Sequence, residues 1–228
     1  MAKIKFSAWL TDARGKQSGT VFSKNRYGAY TRNRVTPVNP STTFQVAVRN
    51  FLTTLAQAWR ALTASQRTAW NGAANNFLSS NIFADVIRLS GFNLFLRLNR
   101  NLQTIGVATL TTPPVPSAVF GFTTFTLVAN TTGGLLTATF TGAIPATDKV
   151  IVSATAPVSA GKSFLKSEYR IIEIATVADV SPEALAAVYI TKFGALPPVG
   201  MKVGVKMQSV NLTTGQGGTP IEAQAIAV

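Results

Sequence analysis

Cationic and aromatic side chains alternate along the start of the chain: Lys3, Lys5, Phe6, Trp9, Arg14, Lys16, Phe22, Lys24, Arg26, Tyr27, Tyr30, Arg32 and Arg34. Ammonium and guanidinium groups interleaved with rings suit two kinds of partner. On a nucleic acid the cations neutralise phosphate and the rings stack on bases. On a protein the same residues fill acidic or apolar grooves, because Arg and aromatics are favoured at interfaces. Lys16, Lys24, Arg26, Tyr27, Tyr30, Arg32 and Arg34, with Arg60 and Arg67 further on, are therefore the candidate contacts for a polyanion or a protein partner.

Other chemistry is sparsely equipped. The chain has neither Cys nor His, which removes disulfides, Cys/His zinc sites, thiol nucleophiles and histidine acid–base catalysis. Eight carboxylates remain and are scattered along the sequence, suggesting neither a catalytic dyad nor an oxygen-ligand metal cage. The segment from Ala156 to Ser163 matches a relaxed phosphate-loop pattern, ending Gly161-Lys162-Ser163. A phosphate loop needs a strand before it and a helix after it. The run that follows, Ser163–Ile174, reads as a strand, so the segment is expected to be a surface hairpin loop. The expectation is a non-enzymatic protein with no catalytic residues, no metal, no cofactor and no small-molecule substrate.

The elements that must position the cations follow from charge and proline. The first 112 residues hold 14 Lys and Arg against Asp12 and Asp85, a net +12, and the rest of the chain carries a net +1. Thr111-Thr112-Pro113-Pro114-Val115-Pro116 marks the change as an extended spacer. Residues 1–40 read as an extended basic arm, with a short hairpin around Val21–Tyr30, because Gly15, Gly19, Gly28, Pro37 and Pro40 interrupt any long helix. Residues 41–112 read as a helical segment. Thr42-Thr43-Phe44-Gln45 and Thr63-Ala64-Ser65-Gln66 are capping boxes that start two helices. Phe44, Val48, Phe51, Leu55, Trp59 and Leu62 make one apolar face of the first, and Trp70, Ala73, Ala74 and Phe77 belong to the second. A third helix is expected from about Phe92 to Ile105, burying Phe92, Phe95, Leu96, Leu102 and Ile105 and stopping at Gly106.

After the prolines the period becomes alternating. Strands are expected at Ala118–Val128, Leu135–Phe140, Lys149–Ala156, Ser163–Thr176 (one strand or two), Ala187–Phe193, Lys202–Val210 and Ile221–Val228, with one helical turn at Ser181–Ala184. Seven or so short strands over residues 113–228 fit an immunoglobulin- or fibronectin-III-like β-sandwich. The fold class is thus α+β, mainly β: basic arm, small helical segment, sandwich. No Lys, Arg, Asp or Glu falls between Asn101 and Thr147, so lateral contact with other chains meets little repulsion there. No apolar run approaches the roughly 18 residues of a membrane span, and the start lacks the apolar core of a signal peptide, so no membrane partner is expected.

Several stretches together resemble a known set of sequences. Ser18–Tyr30 leads into Arg34–Thr42; Trp59-Arg60-Ala61-Leu62-Thr63, Gln66-Arg67 and Trp70 follow, then Ser90-Gly91-Phe92-Asn93-Leu94-Phe95 and Asn99. Over about residues 14–115 the chain is similar to a family of uncharacterised proteins from tailed phages, prophages and their hosts. The C-terminal half is similar in a general way to immunoglobulin-like domains common on virion proteins. The resemblance carries no active-site residues. It implies a structural subunit of a virion, at the capsid or the tail, made in the host cytoplasm, with other virion proteins and further copies of itself as partners. DNA, contacted through residues 1–112, is the alternative partner of a DNA-binding or condensing protein. A host-surface adhesion module is the third reading.

Overall fold

The computed structural model describes residues 2–3, 5, 12–35, 38–77, 79–80, 83 and 85–228. Phe6, Trp9 and Pro37 of the expected arm lie outside the described residues. The chain forms a mixed α+β fold with several antiparallel sheets. It divides into two compact units, residues 1–94 and 95–228. The division falls inside a helix rather than at Pro113.

In the N-terminal unit the expected arm is paired into a sheet. Strands β1 (Ala2–Lys3), β2 (Gly15–Gln17), β3 (Thr20–Asn25) and β4 (Gly28–Asn33) lie in the order β1-β4-β3-β2, all antiparallel. The expected hairpin is its centre. Asn25 pairs with Gly28, and the Asn25 side-chain oxygen accepts from Tyr27 N at 2.9 Å, which turns the chain locally without long-range help.

Helices α1 (Thr43–Ala61) and α2 (Ala64–Ala73) start as expected. Each carries both halves of a capping box, Thr42 with Gln45 and Thr63 with Gln66, so the amides at each helix start are satisfied by side chains. Leu62 and Thr63 alone separate the two helices, and Leu62 is buried. A 3-10 turn (Ala74–Asn76), the two-residue strands β5 (Ser79–Ser80) and β6 (Val86–Ile87), and the start of α3 (Gly91–Thr104) complete the unit. Leu55, Leu62, Trp70, Ala74, Phe77 and Leu94 are buried, and the Trp59 and Phe92 rings meet at 5.6 Å.

The α3 stripe is rotated from the expected one. Leu94, Phe95, Leu98, Leu102 and Ile105 are buried, and Phe92 and Leu96 are only half-buried. The i, i+4 spacing of Leu94, Leu98 and Leu102 keeps them on one face. Gly106 ends the helix at φ +75°, a left-handed stop that glycine adopts without strain.

The C-terminal unit holds two antiparallel sheets. One is β12 (Glu183–Ala184), β8 (Leu135–Phe140), β7 (Phe125–Asn130), in that order. The other runs β11 (Arg170–Ala175), β9 (Asp148–Ala154), β13 (Met201–Asn211), β14 (Ile221–Ile226), with β10 (Val158–Ser159) also on β13. Leu127, Leu136, Ala138, Val150, Val152, Val203, Val205 and Met207 from both sheets form one core. Their alternation with outward residues is the period-two pattern seen in the sequence.

Four expectations for this unit are corrected. The strand expected over Ser163–Thr176 is confined to β11, and Ser163–Tyr169 has no regular structure. Ala187–Phe193, expected as a strand, is helix α4 (Ala186–Phe193). A helix places Tyr189 and Phe193 on one side with ring centroids 4.7 Å apart, and Tyr189 is fully buried with its hydroxyl donating to Thr155 O at 3.0 Å. That packing overrides the β-branched residues between them. Ser181–Ala184 is not a helical turn: Ser181-Pro182 is a cis peptide and Glu183–Ala184 is strand β12. The expected spacer Thr111–Pro116 and the start of the strand expected at Ala118–Val128 lie in a stretch, residues 107–124, that has no regular structure and is fastened to the unit. Asn99 exchanges two hydrogen bonds with the Leu110 backbone, Ser117 N donates to Gln216 Oε1 at 2.7 Å, and Phe120 N donates to Asp148 Oδ2 at 2.9 Å. The Gly161-Lys162-Ser163 segment follows β10 in a turn, with no helix after it.

Candidate functional site

The cations of the N-terminal unit are set out by strand register. Residues opposite each other in an antiparallel pair share a face, and the next pair takes the other face. Lys16 is opposite Val21, Val21 opposite Arg32, and Ser23 opposite Tyr30. Lys16, Tyr30 and Arg32 therefore lie on one face, around Val21, which is buried. Lys24 takes the other face, beside Phe22 and Thr31. Arg26 is exposed at the hairpin tip, and Arg34 follows β4 with its N–H donating to Gly19 O at 2.7 Å. Tyr27 is an anchor: its hydroxyl accepts from Asn93 Nδ2 at 2.9 Å. Arg60, in the last turn of α1, and Arg67, on α2, are exposed. The structure thus gathers three of the nine candidates on one sheet face and distributes the others.

Charge balance makes this unit a strong positive source. Residues 1–94 hold 12 Lys and Arg against Asp12 and Asp85, a net +10, and residues 95–228 carry a net +3. Asp12 pairs with Arg14 at 3.1 Å and Asp85 with Lys5 at 3.5 Å, both in solvent. Exposed pairs of this kind contribute little to stability, and the remaining cations set the field around the unit.

A second feature is apolar. Val48, Phe51 and Leu52 continue the stripe of buried Leu55 along α1, yet they are 58%, 39% and 55% exposed. The sequence marks these positions as one apolar face, and at Val48 and Phe51 that face is at the surface. The side chain of Phe44, on the same stripe, lies outside the described set.

Comparison of the chain with known protein families, with curated proteins and with solved structures found no match. Geometry and charge therefore carry the functional reading.

The fold also assembles a group that sequence spacing did not point to. Glu173 on β11, Asp179 in the following loop and Glu183 on β12 each bring one carboxylate oxygen within 4.8 Å of the others. Such a set has the oxygen chemistry of a divalent-cation site. Burial, reinforced by Glu183 and Asp179, raises the Glu173 pKa, and burial with Asp179 raises that of Glu183. Asp179 is held in place by Thr176, whose N–H and hydroxyl both donate to Oδ2, at 2.6 and 3.2 Å. The three positions are four to six residues apart across a strand, a loop and another strand, so no periodic pattern marks them. Among the described residues no helix is long and apolar enough to cross a membrane.

Proposed function

We propose that the chain is a non-enzymatic structural subunit of a tailed-phage particle, capsid- or tail-associated, whose N-terminal unit engages neighbouring subunits. The observation that carries this reading is the exposed half of the α1 stripe, Val48, Phe51 and Leu52, on a unit of net charge +10. An exposed apolar row on a cationic unit is what a protein neighbour with an acidic surface covers. The sequence resemblance over residues 14–115 supports the virion setting.

The C-terminal unit is read as an immunoglobulin- or fibronectin-III-like sandwich. Its support is the strand order, β12-β8-β7 against β14-β13-β9-β11, with one core between them. In this reading the sandwich packs laterally or faces outward, and the virion is where the protein resides.

The test is light scattering on the full chain and on Leu52→Glu. Leu52 is over half exposed, so the substitution leaves the fold intact and its circular dichroism unchanged. Assemblies of the parent chain that dissolve in the variant support the reading; a monomeric parent, or a variant that assembles equally well, overturns it.

The net +10 favours one other partner, duplex DNA. Phosphate-driven binding weakens steeply and log-linearly with salt, whereas packing-driven assembly persists. Salt dependence separates the two.

A further inference from the structure

The geometry points to a saccharide-binding cleft on the C-terminal unit, between the loop Ser163–Tyr169 and the outward face of strands β13 and β14. Strand register builds its floor. Gly204 stands opposite Gln224 and Lys206 opposite Glu222. Alternation puts these four on the face away from Val203, Val205 and Met207, which are in the core. The loop settles onto this floor because position 204 has no side chain. A Cβ there would lie 2.9 Å from Leu165 Cδ1 and 3.0 Å from Tyr169 Oη, so any side chain at 204 would push the ends of these two side chains aside. The result is a cleft of about 410 Å³.

Its chemistry is mixed. Phe164 stands at the rim, 64% exposed, an apolar plate with no core to join. Lys206 Nζ sits 4.9 Å from the centre of the Tyr169 ring, and Lys206 and Glu222 form no ion pair although they face each other. The Tyr169 hydroxyl is shielded and lies beside the Glu222 carboxylate without a well-formed hydrogen bond to it. Burial and the nearby Glu222 carboxylate push its pKa up to about 12, so it remains a donor throughout the working pH range.

Two ammonium groups (Lys166 and Lys206), a carboxylate, an amide and a hydroxyl around one exposed ring offer donors and acceptors together. A sugar ring matches this set. Its C–H face lies on an aromatic plate, and each hydroxyl both donates and accepts. A phosphate chain would meet Glu222, and an apolar peptide would leave Lys206, Glu222 and Gln224 desolvated without partners. This inference does not rest on the virion reading, since it concerns the other unit and a different class of ligand.

The test is an array of neutral and anionic oligosaccharides probed with the full chain, followed by titration of the oligosaccharide it retains best. Phe164→Ala and Gln224→Ala are each expected to weaken binding about tenfold, and Gly204→Val to weaken it by displacing the Leu165 and Tyr169 side chains. Phe164 and Gln224 are exposed, so the first two variants keep the parent's circular dichroism, and Lys192→Ala, on α4, binds as the parent does. No retained oligosaccharide, equal binding by Phe164→Ala and Gln224→Ala, or retention only on a peptide array would overturn the proposal. Loss of assembly in Leu52→Glu with saccharide binding intact keeps the two readings apart.

Discussion

At the scale of single residues, one buried carboxylate is structural. Asp148 is 3% exposed, and its carboxylate accepts from Phe120 N at 2.9 Å and Asn211 Nδ2 at 2.8 Å. Asn211 Oδ1 in turn accepts from the amides and hydroxyls of Thr213 and Thr214. Removing one partner from such a group leaves others buried and unmet, so Asp148→Ala is expected to cost on the order of 3 kcal/mol in urea unfolding. The acidic trio behaves in the opposite sense. The Glu173 carboxyl has a folded pKa raised above its ordinary 4.5, so folding favours its neutral form. That contribution is complete below pH about 4.5 and is lost as pH rises through the folded value. Glu173→Gln, neutral at every pH, is therefore expected to melt higher than the parent at pH 7.5 and level with it at pH 4; a variant that melts lower at pH 7.5 would refute the account by burial and like charge.

At the scale of elements, local signals and tertiary packing divide the work. The caps of α1 and α2 were legible because Thr-x-x-Gln closes hydrogen bonds within four residues. Thr63→Ala is expected to cost about 1 kcal/mol by thermal unfolding, while Ser65→Ala, outside the box proper, should cost less. The hairpin of β3 and β4 was legible for a similar reason, since Asn25 makes its own turn. Helix α4 was not. Val188, Ile190 and Thr191 favour a strand in isolation, and only the need to seat Tyr189 in the core over Thr155 makes the segment helical. The stripe of α1 was legible as a stripe, but periodicity marks a face without saying what covers it.

At the scale of the whole molecule, charge asymmetry is the dominant feature, with a net +10 on the N-terminal unit out of +13 in all. If assembly is driven by packing, it should survive about 300 mM salt, and duplex DNA should be retained only near about 50 mM. DNA binding of micromolar strength or better at the higher salt would move the reading to a DNA-binding protein. The sequence by itself determined the charge split, the helix starts, the hairpin and most strands of the C-terminal unit, because these depend on composition, short hydrogen-bonded motifs or period-two alternation. Tertiary structure alone decided the pairing of the basic segment into a sheet, the meeting of Glu173, Asp179 and Glu183, and the seating of Tyr169 over Gly204. Those depend on which strands become neighbours, and residues distant in sequence acquire a distance from one another only when the sheets close.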